Sequence, residues 1–227
     1  MNIAELFQSI QGEGMLAGTP SVFIRTSGCN LRCHWCDTPY TSWAPEGEPM
    51  AIGPILDYVR ANDTGYVVVT GGEPMIAPEI VALTQALRRA GQHVTVETAG
   101  TVYAPVACDL MSASPKLAHS TPYQRDGGRW AVAHERLRLQ PEVLARLIGE
   151  YEYQLKFVVA APEDLDEILG LVARLGARRE RVVLMAEGTE PELLRRRGVW
   201  LVEICRRERF RFSPRLHIEL FGNRRGV

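Results

Sequence analysis

The sequence predicts an α/β fold, and more specifically a partial, open β/α barrel of about six parallel strands. Two observations predict it. Short runs rich in Val, Ile and Leu alternate with amphipathic segments of helical period along most of the 227 residues, and strands separated by helices in this way form mostly parallel sheets. The count of six or seven such runs falls short of the eight strands that close a full barrel. A doubly wound open sheet is the second alternative.

The elements follow from local pattern in chain order. Runs of branched and aromatic residues predict strands at 22–26, 66–70, 93–97, 107–111, 153–159, 181–185 and 216–220. Apolar residues at helical spacing predict helices at 50–61, 78–90, 141–148, 163–175 and 190–207. Gly91 ends the second of these helices, and Pro162 stands near the start of the fourth. The polar residues 119–135 are predicted to form a loop. We expect a single domain over 1–227, with a possible insertion at about 119–140.

The composition and charge of the chain argue against several classes of function. The chain has 26 Lys and Arg against 27 Asp and Glu, a formal net charge of −1, which argues against non-specific nucleic-acid binding. No apolar run approaches the ~20 residues of a membrane span. The N-terminus lacks the basic and then apolar pattern of a secretory signal. We therefore expect a cytoplasmic protein with neither a nucleic-acid partner nor a membrane partner.

Small and polar residues follow five of the predicted strands. These strand ends are Ser27–Cys29, Gly71–Pro74, Glu97–Gly100, Ser114–Lys116 and Glu187–Gly188. In both candidate architectures ligands bind at the carboxyl ends of the strands. The pattern predicts one shared site at that edge of the sheet.

Three of the five cysteines fall within eight residues, at Cys29, Cys33 and Cys36. They cannot all pair with one another, so a metal or redox role in a reducing compartment is favoured over a disulfide framework. A structural zinc ion needs four ligands. Its candidate fourth ligand, His34, lies inside the loop, where wrapping would be strained. An iron–sulfur cluster normally has four Cys ligands, and three would leave one iron open.

A distant fourth ligand is the remaining alternative for this cysteine loop. Cys108 and Cys205 are the two other cysteines, and both occur in apolar stretches. Free cysteines in such surroundings usually behave as small buried apolar residues. A buried structural role is therefore the favoured interpretation for both.

The cysteine spacing, together with Gly71-Gly72-Glu73-Pro74 after a buried strand, resembles the radical S-adenosylmethionine (SAM) superfamily. Further motifs are similar to the 7-carboxy-7-deazaguanine synthase family within it: Glu5–Gly14, Phe23–Arg25, Gly28–Leu31, Cys33–Thr38, Thr70–Pro74, Val96–Thr98, Ser114–Lys116 and Gln154–Phe157. The match spans most of the chain and is weakest at about 119–140 and 190–215. The resemblance implies a modified radical-SAM core with a 4Fe-4S cluster, SAM and Mg²⁺ as cofactors.

The resemblance also implies which residues hold these cofactors. The cluster ligands are Cys29, Cys33 and Cys36, and SAM is bound by Trp35, Cys36, Asp37, Gly72, Glu73, Ser114, Pro115, Lys116 and Gln154. Thr38 supplies a hydroxyl ligand to Mg²⁺, although Asp37 is an obvious competitor from the sequence alone. Lys116 and Lys156 are the only lysines beside 24 arginines, so each can mark a place that requires a compact ammonium group. Chance is the alternative.

A second set of residues is implied for the substrate. It comprises Ile10, Gln11, Gly12, Glu13, Arg25, Thr70 and Val227. A plain glycine turn is the alternative at 9–14. A buried arginine needs a partner. For Arg25 that partner is the substrate carboxylate or, as the alternative, a carboxylate of the protein such as Glu97. Val227 is included because an ordered tail can close the pocket in the family.

The implied reaction is the ring contraction of 6-carboxy-5,6,7,8-tetrahydropterin to 7-carboxy-7-deazaguanine with loss of ammonia, a carbon–nitrogen lyase reaction of queuosine and deazapurine biosynthesis. No individual catalytic side chain is assigned. A flavodoxin or ferredoxin reductant and a homodimer are also implied. A glycyl-radical activase would need an open docking face, and an iron–sulfur electron carrier would not need the Gly-Gly-Glu-Pro motif. Both alternatives are therefore less favoured.

Overall fold

The computed structural model describes residues 1–227, and one open sheet of nine strands forms its centre. The strands are β1 (Asn2–Ile10), β2 (Pro20–Thr26), β3 (Glu48–Pro49), β4 (Tyr66–Gly71), β5 (His93–Thr98), β6 (Leu110–Ala113), β7 (Tyr153–Val159), β8 (Val182–Ala186) and β9 (Arg211–Ser213). The helices are α1 (Ile52–Asn62), α2 (Ile80–Arg89), α3 (Ala131–Arg138), α4 (Pro141–Glu150), α5 (Asp164–Leu175), α6 (Pro191–Glu208) and α7 (Leu216–Phe221). None of the helices is both long and apolar enough to cross a membrane.

The strand order across the sheet is β3-β1-β2-β4-β5-β6-β7-β8-β9. All neighbours from β2 to β9 pair in parallel. Strand β1 is antiparallel to β2, with Phe7 opposite Phe23, and β3 is antiparallel to β1. The sheet has two free edges, so it is a partial barrel of parallel strands that does not close. This confirms the predicted fold class.

A single core of 36 buried residues runs through the molecule. Both faces of the central strands are covered, as in β4, where Val67, Val68 and Val69 are all buried. Helix α2 adds Leu83 and Leu87, which are fully buried one turn apart. Burying such a side chain contributes roughly 1.5–3 kcal/mol each. The central strands are therefore rigid supports for whatever lies at their ends.

Two predicted elements are wrong. The predicted strand at 216–220 is helix α7, where the Leu216 amide donates to the Gly12 carbonyl (2.9 Å). The last strand is instead the three-residue β9, which is too short to show a pattern. The predicted loop at 119–135 contains the start of helix α3, which buries only Ala131 and His134 and therefore has little apolar periodicity.

Strand β1 is absent from the predicted elements altogether. Its sequence carries Glu5, Gln8 and Ser9 among apolar residues, and most of its side chains are only half-buried. Because β1 lies beside the sheet edge, it does not show the continuous apolar run of a central strand. Its pairing with β2 places the turn after Ile10 next to the parallel strand ends.

Candidate active site

One cavity of about 470 Å³ lies at the carboxyl ends of the parallel strands. Sixteen of the nineteen residues proposed from the sequence line it: Ile10, Gln11, Gly12, Glu13, Arg25, Cys29, Cys33, Trp35, Cys36, Asp37, Thr38, Thr70, Gly72, Ser114, Lys116 and Val227. The other three, Glu73, Pro115 and Gln154, do not. The strand ends, the cysteine loop and the C-terminal segment therefore meet at a single site, as the pattern of strand ends predicts.

The three clustered cysteines all contribute to the cavity wall. Cys33 is buried with Leu31 and Ala99, and Cys29 packs against them. Burial raises the pKa of the Cys29 and Cys33 thiols to about 12, so they stay protonated until a cation stabilises the thiolates. No three His, Cys, Asp or Glu side chains are already assembled in a metal-holding group. The donor set is three soft sulfur atoms on one loop.

The alternative fourth ligands lie elsewhere. His34 is exposed on the outside of the loop. Cys108 packs beside the main core, and the Cys205 thiol contacts the Arg211 carbonyl oxygen (3.5 Å). None of the three lines the cavity. The loop therefore offers three ligands and leaves a fourth position to another group.

Gly72 is the position at which the cysteine loop contacts the end of β4. The Glu73 amide donates to the Gly28 carbonyl (2.9 Å), and the Gly28 amide donates to the Thr41 carbonyl (2.9 Å). A Cβ atom on Gly72 would collide with both of those carbonyl oxygens. Only glycine allows this close backbone approach, so the motif fixes the loop against the sheet.

Glu73 is bound by groups of the protein itself. Its carboxylate is completely buried behind the cavity wall, where it accepts from Thr98 Oγ1 (2.7 Å), the Ala99 amide (2.8 Å) and the Met75 amide (3.1 Å). Burial raises its pKa despite these bonds. Its oxygens hold the ends of β4 and β5 together, and the contact of Glu73 with SAM that the resemblance implies stays a prediction.

Gln154 also holds neighbouring segments together. Its side chain accepts from the Met15 amide (2.8 Å) and donates to Ser112 Oγ (2.7 Å). Gly14 packs against it so closely, with φ +74°, that a Cβ there would collide with its amide group. Gln154 thus fixes the turn after β1, while its neighbour at the next inward position, Lys156, lines the cavity.

A buried network of charges forms the polar wall of the cavity. Glu13 binds Lys156 Nζ (2.5 Å) and Arg215 Nε (3.0 Å). Arg215 also pairs with Asp37 and donates to the Gly188 carbonyl (2.6 Å). Burial alone would raise the pKa of Glu13, but the charges of Lys156 and Arg215 outweigh it and hold that pKa well below its usual value. The network is ionised at neutral pH.

Glu97 carries a second carboxylate into the same wall. It accepts from Gln11 Nε2 (3.2 Å) and Thr70 Oγ1 (3.2 Å), and Lys156 Nζ is 3.6 Å away. The Gln11 side-chain oxygen in turn accepts from the Glu13 amide (3.1 Å). The turn after β1 is therefore built from polar contacts that reach the cavity.

Arg25 pairs with a carboxylate of the protein, as its alternative interpretation expects, but that carboxylate is Glu5 and not Glu97. The Arg25 Nε–Glu5 Oε2 distance is 2.7 Å, and Tyr40 also donates to Glu5 (2.6 Å). The Arg225 guanidinium lies over the Tyr40 ring, 3.6 Å from its centroid, and ion-pairs with Glu46 (3.0 Å). These contacts hold the C-terminal segment at the cavity.

Two further groups face the cavity without a charged partner. Lys116 Nζ donates to Ser114 Oγ and the Ser114 carbonyl (both 2.9 Å) and lies 5.9 Å from the Trp35 ring centroid. The Thr38 hydroxyl has only Thr41 Oγ1 at 3.4 Å and the Cys36 sulfur at 3.8 Å. Asp37, the competitor for the metal, is instead held by Arg215. Lys116 is available to an anion, and Thr38 to a hard cation.

Arg215 is the site residue that sequence reasoning missed. It is only 7% exposed and joins the turn after β1, the cysteine loop and the segment after β8. A signal was available, because Arg215 stands alone between Pro214 and Leu216, whereas the runs at 178–179, 195–197 and 206–207 are accompanied by Glu. An isolated arginine in an apolar setting needs a buried partner.

Comparison with known proteins shows which proteins this chain resembles. The Radical SAM superfamily profile matches residues 23–120. The 7-carboxy-7-deazaguanine synthase of Rhodopirellula baltica is 48% identical, over 99% of this chain and 88% of that protein. The enzyme of the same name from Halobacterium salinarum is 43% identical, over 97% and 90%. The crystal structure of QueE from Escherichia coli superposes with a TM-score of 0.71 at 25% identity, over 95% and 94%.

These relatives match the chain from end to end, so the similarity includes the cysteine loop, the turn after β1 and Arg215's segment alike. Sequence identities of 48% and 43% over nearly the whole chain indicate a common family and not only a common fold. The chain therefore belongs to the 7-carboxy-7-deazaguanine synthase family of the radical SAM superfamily.

Proposed function

We propose that this chain converts 6-carboxy-5,6,7,8-tetrahydropterin to 7-carboxy-7-deazaguanine and ammonia, in queuosine biosynthesis. The reaction is a carbon–nitrogen lyase step without net oxidation, since the product and ammonia together contain all atoms of the substrate. The observation that carries the proposal is the single cavity into which the three cysteines and the polar turn at Gln11–Glu13 both project.

The cysteine loop fits an iron–sulfur cluster. Cys29, Cys33 and Cys36 are the three thiols of the cavity, and the chain brings no fourth ligand to them. Three ligands on a cluster that normally takes four leave one iron for another molecule. Held by these three cysteines, the cluster together with SAM would supply radical chemistry, in the form of a 5′-deoxyadenosyl radical for reversible hydrogen-atom abstraction from the substrate.

Several residues are suited to hold SAM beside the loop. Lys116 lines the cavity and has no carboxylate partner within the chain, so it suits the carboxylate or ribose of SAM. Trp35 is fixed by a hydrogen bond from its Nε1 to His119 Nδ1 (3.0 Å) and offers a flat apolar face. Gly72 and Ser114 add backbone and hydroxyl groups to the same wall.

The substrate site is proposed at the charged wall. A pterin presents donors and acceptors along its edge, and Gln11, Glu13 and Glu97 present the complementary groups. Arg25 is held by Glu5 through Nε, which leaves the other guanidinium nitrogens for a carboxylate. Val227 and the tail would close the opening, and the pterin KM of a chain lacking Gly226 and Val227 tests that part.

Mg²⁺ is proposed at Thr38. Magnesium keeps several waters and binds through few protein ligands together with the substrate. The Thr38 hydroxyl lines the cavity and has only weak contacts within the chain. The Asp37 carboxylate is neutralised by Arg215 instead. A carboxylate substrate would complete the coordination of the ion, which orients its reacting end.

The same proposal extends to the surroundings of the enzyme. A low-potential reductant of the flavodoxin or ferredoxin type would reduce the cluster. The enzyme would act in the cytoplasm as a homodimer. Cytoplasmic conditions keep thiols reduced, as the free cysteines of this chain require.

The test is an anaerobic turnover assay with reconstituted cluster, SAM, Mg²⁺, dithionite and the carboxypterin, read by mass spectrometry. We expect 7-carboxy-7-deazaguanine without stoichiometric 5′-deoxyadenosine. Omitting Mg²⁺ is expected to slow product formation, and Thr38→Ala is expected to reduce that response. SAM cleavage without any deazaguanine would overturn the substrate while leaving the radical chemistry in place.

A further inference from the structure

Ser42 lies beside one of the three cluster cysteines. Its Oγ is 3.3 Å from the Cys36 sulfur atom, and the residue is only 2% exposed. No other group of the chain forms a hydrogen bond with this hydroxyl. Because a buried hydroxyl without a hydrogen bond costs free energy, the Cys36 sulfur is the atom that satisfies Ser42.

The chemistry of iron ligation fixes the direction of this hydrogen bond. While Cys36 is a thiol, either the sulfur or the oxygen can be the donor. A cysteine that ligates iron is a thiolate and has no hydrogen to donate. The Ser42 hydroxyl then donates to the Cys36 sulfur, since it has no second acceptor within the chain. Thr38 is the other hydroxyl near this sulfur, at 3.8 Å, and the proposed Mg²⁺ would occupy it.

The position of the Ser42 hydroxyl is fixed by its neighbours along the chain. The Thr41 carbonyl accepts from the Gly28 amide (2.9 Å), and Trp43 Nε1 donates to the Cys33 carbonyl (3.0 Å). The residues on both sides of Ser42 are thus bonded to the cysteine loop. The hydroxyl is therefore held in place beside its ligand before any cluster binds, as partners of metal ligands commonly are.

The other two cluster cysteines have different surroundings. The Cys29 sulfur accepts from the Leu31 amide (3.4 Å), which is a backbone group. Cys33 packs among apolar residues. Only Cys36 has hydroxyl groups beside its sulfur, so a substitution at position 42 alters the hydrogen bonding of one ligand and leaves the other two ligands unchanged.

A hydrogen bond to a ligating sulfur acts differently on the two redox states of a cluster. Reduction adds one negative charge, which is shared with the sulfur atoms, so a donor stabilises the reduced form more than the oxidised form. Hydrogen bonds to the sulfurs are accordingly among the factors that set the reduction potential of iron–sulfur clusters. The effect is stronger in a buried site, where water screens it little.

We propose that Ser42 raises the reduction potential of the cluster by donating a hydrogen bond to the Cys36 thiolate. The inference rests on the proposed function, because it requires the cluster that the three cysteines are proposed to hold. The step concerned is the transfer of one electron. The reductant loses the electron, the cluster gains it, and no covalent bond forms or breaks. Ser42 acts on this step through Cys36 and contacts no substrate.

The experiment compares the reconstituted parent with Ser42→Ala, which removes the hydroxyl and adds no volume. The midpoint potential is measured anaerobically without SAM, from the EPR signal of the reduced cluster at a series of solution potentials. We expect Ser42→Ala to favour the oxidised cluster about tenfold, which is a fall of about 59 mV for one electron. Ser42→Thr keeps a hydroxyl and is expected to retain a potential close to that of the parent.

Ser120→Ala is the matched control. Ser120 belongs to the cover segment, residues 119–140, which lies over the outside of the cysteine loop, where the His34 amide donates to the Ser120 carbonyl (2.8 Å). Its hydroxyl is also buried, but it contacts His134 Nε2 (2.9 Å) and no cysteine. The parental potential is therefore expected. An equal fall in Ser120→Ala, or in Ser42→Thr, would assign the effect to packing of the loop and overturn the proposal.

Iron content and EPR separate the failure of this inference from that of the proposed function. The midpoint is read only from clusters that are present, so partial loading of a variant does not alter it. A parent that binds no four-iron cluster would overturn the cluster assignment and this inference with it. Equal potentials in the parent and Ser42→Ala would overturn the role of Ser42 alone. A normal cluster that forms no deazaguanine would overturn the proposed reaction, and the potentials would still decide the role of Ser42.

Discussion

At the residue scale, Arg215 determines how the charged wall is assembled. Its guanidinium group contacts Glu13, Asp37 and the Gly188 carbonyl, which belong to three different segments. A buried ion pair contributes little net stability over an apolar pair, but the loss of one partner leaves the other charges buried and uncompensated. Arg215 is therefore a positioning residue that acts through Glu13 and Asp37.

We predict that Arg215→Gln lowers the free energy of unfolding by about 3–5 kcal/mol, the usual cost of breaking a buried pair. The remaining enzyme should show a higher pterin KM, because Glu13 and Asp37 lose the group that aligns them. Urea unfolding and steady-state kinetics measure the two effects.

Arg215→Lys is the matched variant, since it keeps the charge and loses the planar fork. It should recover more of the stability than of the KM. If both variants have the parental pterin KM, Arg215 is not a positioning residue. A change in stability alone would show that Arg215 is only structural.

At the scale of elements, the contact between the β4 end and the cysteine loop is set by the lack of a side chain at Gly72. We predict that Gly72→Ala displaces the loop, because the added Cβ meets the Gly28 and Thr41 carbonyl oxygens. Overpacking of this kind costs roughly 1–3 kcal/mol. Iron content after reconstitution and the EPR signal of the reduced cluster should both fall.

Gly170→Ala is the control for that substitution. Gly170 lies inside α5, and nothing is within 4 Å of the position its Cβ would take. Alanine is favoured over glycine in a helix by roughly 0.5–1 kcal/mol, so this variant should be slightly more stable with normal iron content. Normal iron content in Gly72→Ala as well would show that the loop can adjust without loss.

The elements differ in how far the sequence determines them. Strand β7 is predicted with its observed bounds because both of its faces are buried, so its whole length is apolar or functional. Helix α7 buries only Ile218, and the alternation of Leu216, Ile218 and Leu220 imitates a strand. Its conformation is set by tertiary contacts that local pattern does not encode.

At the scale of the whole molecule, the location of the site is more predictable than its internal bonding. Parallel strand ends converge by topology, so Thr70, Ser114 and Lys116 come together from the strand pattern alone. The protein partners of Arg25 and Glu73 depend on side-chain geometry across strands. The sequence offers Glu97 as the protein partner of Arg25, which pairs with Glu5 instead, and it names no protein partner for Glu73. A buried charge indicates that a partner exists, but it does not identify that partner.

The stability of the whole molecule should depend on pH through His134, which joins the cover segment 119–140 to the cysteine loop. Its Nδ1 accepts from the Arg32 amide, and its Nε2 contacts Ser120 Oγ (2.9 Å). Only the neutral ring can accept at Nδ1. Burial lowers the pKa of His134 to about 4 from an ordinary value near 6.5.

We predict that this residue makes the folded state less stable as pH falls from about 6.5 to about 4. In that range the unfolded chain takes up a proton that the folded chain does not, whereas above pH 6.5 neither form is protonated. The loss amounts to ~3 kcal/mol at most.

In His134→Gln the loss is absent, so the difference in the free energy of unfolding between the parent and the variant should shrink as the pH falls across this range. Anaerobic urea unfolding at several pH values measures it, with the exposed His34→Gln as the control that keeps the parental dependence. Parallel curves for the parent and His134→Gln would show that His134 protonates as easily in the folded chain as in water, and that the cover segment is held to the loop by its other contacts.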